Sequence, residues 1–250
     1  MANQIKQAVL LSAGLGIRMR EVTGNLIPKV MVPLLGKPLL EWHIDLLKRY
    51  GFDEFFINLH YLPDVITNYF GDGSKWGVKI TYAFETPEIR GTAGGIKNFD
   101  ESLREKFLVL YADTFYKIDF ERLINFYTSL ADPIGVTTAR RTDHPMDSDL
   151  AVLGKDNRIV EFLLKPHKEL PEDYWGTSAP YIFSQKVLQY IPEWKYYEID
   201  HNLVPDLLAQ GFNYYGCPLV EGEFRKDIGT PERYKQVEEY LVKRKEEGSL

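Results

Sequence analysis

Over its first 140 residues the chain alternates strand-like apolar runs with helix-patterned segments, and this rhythm constrains the fold more than any other feature. KQAVLLS (6–12) is apolar without alternation, as a strand buried on both faces is. PLLEWHIDLLKRY (38–50) places apolar residues at helical spacing behind a proline, with Gly51 as its stop. EFFINLHY (54–61) reads as a strand, LPDVITNYF (62–70) as a short helix and VKITYAF (78–84) as a strand. AGGIKNFDESL (93–103) reads as a helix with a glycine-rich entry, KFLVLYAD (106–113) as a buried strand ending in aspartate, FERLINFYTSL (120–130) as a helix and IGVTTAR (134–140) as a strand. Strands joined through helices by short connections predict right-handed crossovers and a mostly parallel central sheet with helices on both faces.

After residue 145 the rhythm changes. DLAVLGKDNRIVEFLLKP (149–166) predicts a hairpin turning at Lys155–Arg158. Further strands are expected at 178–184 and 213–220, short helices at KVLQYI and within 201–211, and a charged amphipathic helix over 231–247. This predicts one α/β domain: a parallel α/β half (1–140), a mixed, hairpin-bearing half (141–230) and a C-terminal helix (231–250). That last helix has two open placements, on its own domain or on a second copy in a homo-oligomer.

Composition excludes some functions. A net charge of −6 argues against a general nucleic-acid or anionic-membrane surface. The one cysteine, Cys217, excludes an internal disulfide or a thiolate zinc site and reads as a buried thiol. The five histidines show no metal-binding spacing. Residues 1–17 are short and glycine-broken for a leader and read as a strand, and no run reaches membrane-spanning length. The expectation is a cytoplasmic protein.

In open α/β sheets, ligands bind beyond the carboxyl ends of the strands. Three features fall there: the loop from Ser12 to Pro33, the GTAGG turn (91–95) and Asp113. Gly14 and Gly16 would let backbone N–H groups approach an anion. Arg18 adds a planar fork and Lys29 a point charge, with Pro28 and Pro33 stiffening the loop. The stretch GLGIRM lacks the third glycine of a dinucleotide fingerprint, and no GxxxxGK[ST] phosphate loop is present, which disfavours a nicotinamide-dependent dehydrogenase. From these residues alone, a surface loop with ordinary exposed cations remains equally open.

The motifs in sequence order go further. Ala13–Arg18 (AxGxGxR), Pro28–Glu41 (PKxMxPxxGKPxxE), GTAGGI (91–96), LVLYAD (108–113), FLLKP (162–166) and KDIGTPERY (226–234) span nearly the whole chain. Together they resemble the sugar-1-phosphate nucleotidyltransferases, also called nucleoside-diphosphate-sugar pyrophosphorylases. PKxMxP with GTAGG is most similar to the mannose- and heptose-phosphate guanylyltransferases. The resemblance implies a Rossmann-like core and a reaction of a nucleoside triphosphate with a sugar 1-phosphate, giving NDP-sugar and pyrophosphate. It implies Mg²⁺ held by Asp113 and Asp227. It puts Arg18 on the β- and γ-phosphates, Lys29 by the α-phosphate and Lys165 on the phosphate of the sugar 1-phosphate. Leu11, Ser12, Ala13, Gly14 and Gly16 would frame base and ribose with Gly91, Thr92 and Ala93. Glu85 would contact the base, and Thr177 and Tyr181 the sugar. The plain alternatives are a turn cap for Asp113, a surface ion pair for Asp227 and a strand-end charge in water for Glu85.

Four positions depart from the resembled pattern. Ile17 replaces a hydroxyl residue in the phosphate loop, and Arg90 replaces an apolar residue before GTAGG. Leu164 replaces the glutamate before Lys165, and Thr177–Tyr181 carries Pro180, which has no N–H to donate. The last two lie on the sugar side and imply an unusual acceptor. The expectation is GTP with a mannose- or heptose-type sugar phosphate. UTP, CTP or dTTP, or a catalytically silent NDP-sugar-binding regulatory subunit, are the alternatives.

Overall fold

A computed structural model describes residues 5–142 and 144–248. In chain order the first elements are β1 (Gln7–Leu11), a short α1 (Arg20–Thr23), the two-residue strands β2 (Pro33–Leu34) and β3 (Lys37–Pro38), α2 (Leu39–Arg49), β4 (Glu54–Leu59), α3 (Pro63–Phe70), β5 (Lys79–Phe84) and α4 (Gly91–Lys97). There follow β6 (Lys106–Tyr111), β7 (Thr114–Lys117), α5 (Phe120–Ser129), β8 (Gly135–Arg140), β9 (Leu150–Leu153), β10 (Ile159–Leu163) and β11 (Trp175–Ser184). The chain closes with α6 (Val204–Ala209), β12 (Tyr214–Pro218), β13 (Phe224–Asp227) and α7 (Pro231–Glu246).

The predicted rhythm builds the centre of a nine-stranded sheet. β6, β1, β4 and β5 lie side by side in parallel, with Ala8 between Leu108 and Phe55. Every residue of β1 is buried, which is why its sequence shows no alternation. In α2, Leu39, Leu40, His43, Ile44 and Leu47 form the buried stripe, and Lys48 and Arg49 complement the helix dipole at its end.

The sheet is mostly parallel at its centre and becomes mixed beyond β6. β8 does not join β6. The ten-residue β11, from the second half of the chain, runs antiparallel between them, pairing Tyr181 with Val109 and with Thr137. β12 then adds to β8 in parallel, and the β9–β10 hairpin hangs on the start of β11, with its turn at the predicted residues. Sheet pairing at this separation leaves no local pattern in either strand, so periodicity could not order them.

A second small ladder was also not anticipated. β7 pairs antiparallel with β13, with Thr114 opposite Asp227. It carries a separate hydrophobic cluster, in which Phe115 and Ile228 pack with Met19, Val32, Leu34 and Leu39, and with Val237 and Leu241 of α7. Of the two placements open to the C-terminal helix, it therefore takes the one on its own domain. Among the described residues no helix is long and apolar enough to cross a membrane.

Candidate active site

The loop after β1 is held from below. Asn58, buried in β4, accepts the Ser12 N–H at 2.8 Å and donates to Glu85 Oε1 at 2.9 Å. Glu85 itself is fully buried, so the reading of a strand-end charge in water is overturned. Its carboxylate also accepts from Asn98 Nδ2 at 3.0 Å and from the Arg90 N–H at 2.9 Å. These contacts make Glu85 the brace that fixes the first loop and the segment before GTAGG in one position. The Arg90 guanidinium bonds Asn98 Oδ1 at 2.7 Å and lies over the Trp194 ring at 4.0 Å.

The glycines of the loop have a different use from the one expected. A Cβ at Gly14 would come within 3.2 Å of Lys29 Nζ, and one at Gly16 within 3.2 Å of Lys29 Cβ. The missing side chains make room for the stem of Lys29, which crosses the loop to form an ion pair with Asp113 Oδ2. Gly16 also adopts φ +61°, a conformation costly for any other L-residue except Asn or Asp.

Asp113 follows β6 and is steadied through its backbone. The Ile228 N–H donates to the Asp113 carbonyl at 2.8 Å. His43 Nε2 lies 3.1 Å from the carbonyl oxygen of Ala112. Burial lowers the His43 pKa to about 4, so the ring is neutral at pH 7. A carbonyl only accepts, so Nε2 carries the proton. Because Thr114 opposes Asp227 in the β7–β13 ladder, the two aspartates stand at neighbouring positions, 114 residues apart in sequence. The Asp227 carboxylate accepts from Arg233 Nη1 at 2.7 and 2.8 Å, and from the Gly229 N–H at 3.1 Å. Arg18 reaches the same turn: a Cβ at Gly229 would lie 3.1 Å from Arg18 Nη2 and 2.8 Å from Asp227 Oδ1. The fold thus brings Arg18, Lys29, Asp113 and Asp227 together and adds Arg233.

The GTAGG turn is stitched to a distant segment. Ala93 and Gly94 donate their N–H groups to the Tyr197 carbonyl at 2.9 and 3.0 Å, and Thr92 Oγ1 accepts from the Ile199 N–H at 2.8 Å. Gly91 has φ +77°, and a Cβ there would meet the Tyr197 oxygen at 2.6 Å, so neither the turn nor the contact tolerates a side chain.

Beyond Thr114 and Asp227 opens a polar cavity of about 830 Å³. Lys165, Thr177, Asp149, Asp200, Arg140 and Arg225 are among the residues that line it. Asp149 accepts the Lys165 N–H at 3.2 Å and faces His201 at 3.2 Å. Tyr181 requires a correction. It is completely buried, and its hydroxyl donates to Asp200 Oδ2 at 2.6 Å beside the Tyr111 hydroxyl at 3.0 Å. At Tyr181 the strand β11 is flanked by β6 on one edge and β8 on the other, and residues 179–183 are all buried, so Tyr181 packs into the core while Asp200 lies on the cavity wall. Burial raises the Asp200 pKa to about 6.

A divalent cation fits the donor set at the two aspartates. Two carboxylates offer hard oxygen ligands, and no group of three or more His, Cys, Asp or Glu side chains forms a cage among the described residues. Lys29 and Arg233 are the cations that now balance these carboxylates.

The chain is similar to known proteins along most of its length. The nucleotidyl transferase family model matches residues 7–244. The UTP–glucose-1-phosphate uridylyltransferase of Synechocystis is 31% identical over 225 residues, 85% of this chain and 58% of that protein. The mannose-1-phosphate guanylyltransferase of Mycobacterium tuberculosis is 30% identical over 94% of this chain and 64% of its own length. The chain thus spans about three fifths of these two relatives. The crystal structure of HddC from Yersinia pseudotuberculosis superposes with a TM-score of 0.75 at 26% identity, covering 95% of this chain and all of that one.

Proposed function

This chain belongs to the nucleotidyl transferase family, and from that membership we propose that it transfers a nucleotidyl group from a nucleoside triphosphate to a sugar 1-phosphate, releasing pyrophosphate. The observation that carries the reading is the junction at Thr114 and Asp227. On one side stand Asp113, Lys29 and Arg18; on the other opens a polar cavity with Lys165 on its wall.

In this reaction an oxygen of the acceptor phosphate forms a bond to the α-phosphorus, and the bond from that phosphorus to the α–β bridging oxygen breaks. The acceptor is already ionised at neutral pH, so no general base is needed. The barrier lies in bringing two anions together and in the charge that grows on the departing pyrophosphate, which makes catalysis a matter of position and electrostatics. Lys29 is pre-placed by its ion pair with Asp113 and by the two glycines it crosses, so it meets the α-phosphate with little reorganisation. Arg18 faces the β- and γ-phosphates with a planar fork. Lys165 holds the acceptor phosphate. The loop from Leu11 to Gly16 and the turn at Gly91–Ala93 frame base and ribose, with Glu85 acting through the loops it braces. Asp113 and Asp227 would hold Mg²⁺, which would supply charge neutralisation for the phosphates.

GTP is the favoured triphosphate and a mannose- or heptose-type sugar phosphate the favoured acceptor, in line with the PKxMxP and GTAGG motifs and with the guanylyltransferase among the relatives. A pyrophosphate-release assay with GTP, UTP, CTP and dTTP against a panel of sugar 1-phosphates tests the reading. Turnover should be greatest with GTP. Tight NDP-sugar binding without turnover of any pair would show instead a regulatory subunit.

A further inference from the structure

The lysines and arginines of the cavity wall are matched in number by carboxylates, yet two of the cations, Arg225 and Arg140, have no carboxylate hydrogen-bonded to them among the described residues. Lys165 already serves the acceptor phosphate in the proposed reaction. Arg225 enters the wall from β13 and is only 9% exposed. Its Nη1 donates to Thr138 Oγ1 at 2.8 Å and its Nη2 to the Gly176 carbonyl at 3.4 Å, both neutral acceptors. Among the described residues no carboxylate hydrogen-bonds to it. Asp200 bears on it only through space, with Oδ2 taken by Tyr111 and Tyr181.

Burying a guanidinium without a counter-charge is costly, and Arg140 increases that cost. It stands at the end of β8, opposite Gly176, close enough to Arg225 for repulsion, and it forms no ion pair among the described residues. A separate feature lines the same cavity: Thr177 Oγ1 is buried and lacks any hydrogen-bond partner. Two cations with no carboxylate directly bonded to them and a hydroxyl without a partner together form an incomplete site, complementary to a group with several acceptor oxygens and negative charge.

We propose that this corner of the cavity is an anion subsite for a second acidic group on the acceptor, a sugar 1-phosphate that also carries a carboxylate or a further phosphate, bound by Arg225 and Arg140 with Thr177 Oγ1. The proposal rests on the nucleotidyl-transfer reading and sharpens its acceptor class.

The test measures kcat/KM by pyrophosphate release with all four triphosphates and three acceptors of one ring type: mannose 1-phosphate, mannuronic acid 1-phosphate and mannose 1,6-bisphosphate. An acid-bearing acceptor should be preferred over mannose 1-phosphate by roughly 10- to 100-fold, the usual range for a charge-assisted hydrogen-bond pair. Which of the two is preferred identifies the group as carboxylate or phosphate. In the Arg140→Gln variant, altered at an exposed residue, the preference should fall severalfold, and Arg225→Lys, which keeps the charge but loses the fork, should lower it as well. Equal kcat/KM for neutral and acidic acceptors, or a preference unchanged in both variants, overturns the subsite and leaves nucleotidyl transfer standing. Absence of turnover with every acceptor and triphosphate removes the transfer reading and the subsite with it.

Discussion

At the level of single residues the proposed chemistry turns on two carboxylates. Asp113 and Asp227 are each balanced by a cation and lie outside the main core, so neither is needed for folding. Asp113→Ala and Asp227→Ala should each lower Mg²⁺-dependent turnover by about 100- to 1,000-fold, the usual loss when one electrostatic contact of a transition state is removed. Circular dichroism should show both variants folded, and near-normal rates in either would refute the metal assignment. Asp200 gives a different signature. Burial raises its pKa from 3.8 to about 6, so between these values the folded chain holds a proton that the unfolded chain has released. Its contribution to stability is therefore full below pH 3.8 and lost as the pH rises through 6. The stability of the wild type relative to Asp200→Asn should fall by on the order of 2–3 kcal/mol between pH 4 and pH 7 in urea titrations, and a flat difference would exclude the linkage.

Elements explain both what the sequence made legible and what it concealed. The strands and helices of the first half were readable because each buries a face whose period is local: β1 and β6 as unbroken apolar runs, α2 as a stripe every three or four residues. The ends of those strands marked the loops at Ser12, Gly91 and Asp113 for the same reason. Asn58 left a trace, a polar residue inside the apolar run EFFINLHY, yet its partners Ser12 and Glu85 lie 46 and 27 residues away. Arg233 and Arg225 left none, since what gives them a role is the pairing of β13 with β7 and its approach to β8 and β11, set by tertiary packing alone. Tyr181 misled because residues 179–183 of β11 are buried on both faces between β6 and β8, an environment set by long-range strand pairing. The start of α7 lends itself to a test at this scale. Thr230 caps the helix by accepting the Arg233 N–H at 3.3 Å, and Arg233 in turn holds Asp227. Thr230→Ala should cost about 1 kcal/mol of stability in denaturant titrations. It should also weaken Mg²⁺ dependence by loosening Arg233. A loss of stability with an unaltered Mg²⁺ response would separate the cap from the site.

The whole molecule rests on two hydrophobic clusters of unequal size, and the residues proposed to act on the phosphates stand where they meet. The larger surrounds the nine-stranded sheet and supports the loops from β1, β4 and β6. The smaller joins α7, the β7–β13 ladder and Met19, Val32 and Leu34 of the segment that follows β1. Lys29 and Asp113 therefore depend on both, because the loop that carries Lys29 is backed by the smaller cluster while β6, which ends before Asp113, belongs to the larger. The C-terminal helix, far from the site in sequence, thereby becomes part of the support of the loop that carries Lys29: Tyr234 donates its hydroxyl to the Pro33 carbonyl at 2.6 Å, and Leu241 is almost wholly buried beneath it. Leu241→Ala should cost about 2–5 kcal/mol through the cavity it leaves. That loss should fall mainly on the smaller cluster, since a protein opens in contiguous units of differing stability. Hydrogen exchange should then accelerate over residues 17–35, 114–117 and 224–228 while β1 and β4 keep their protection, and turnover should decline with the loop that carries Lys29. Uniform acceleration across both clusters would mean that they unfold as one unit and that α7 supports the site only by supporting the whole.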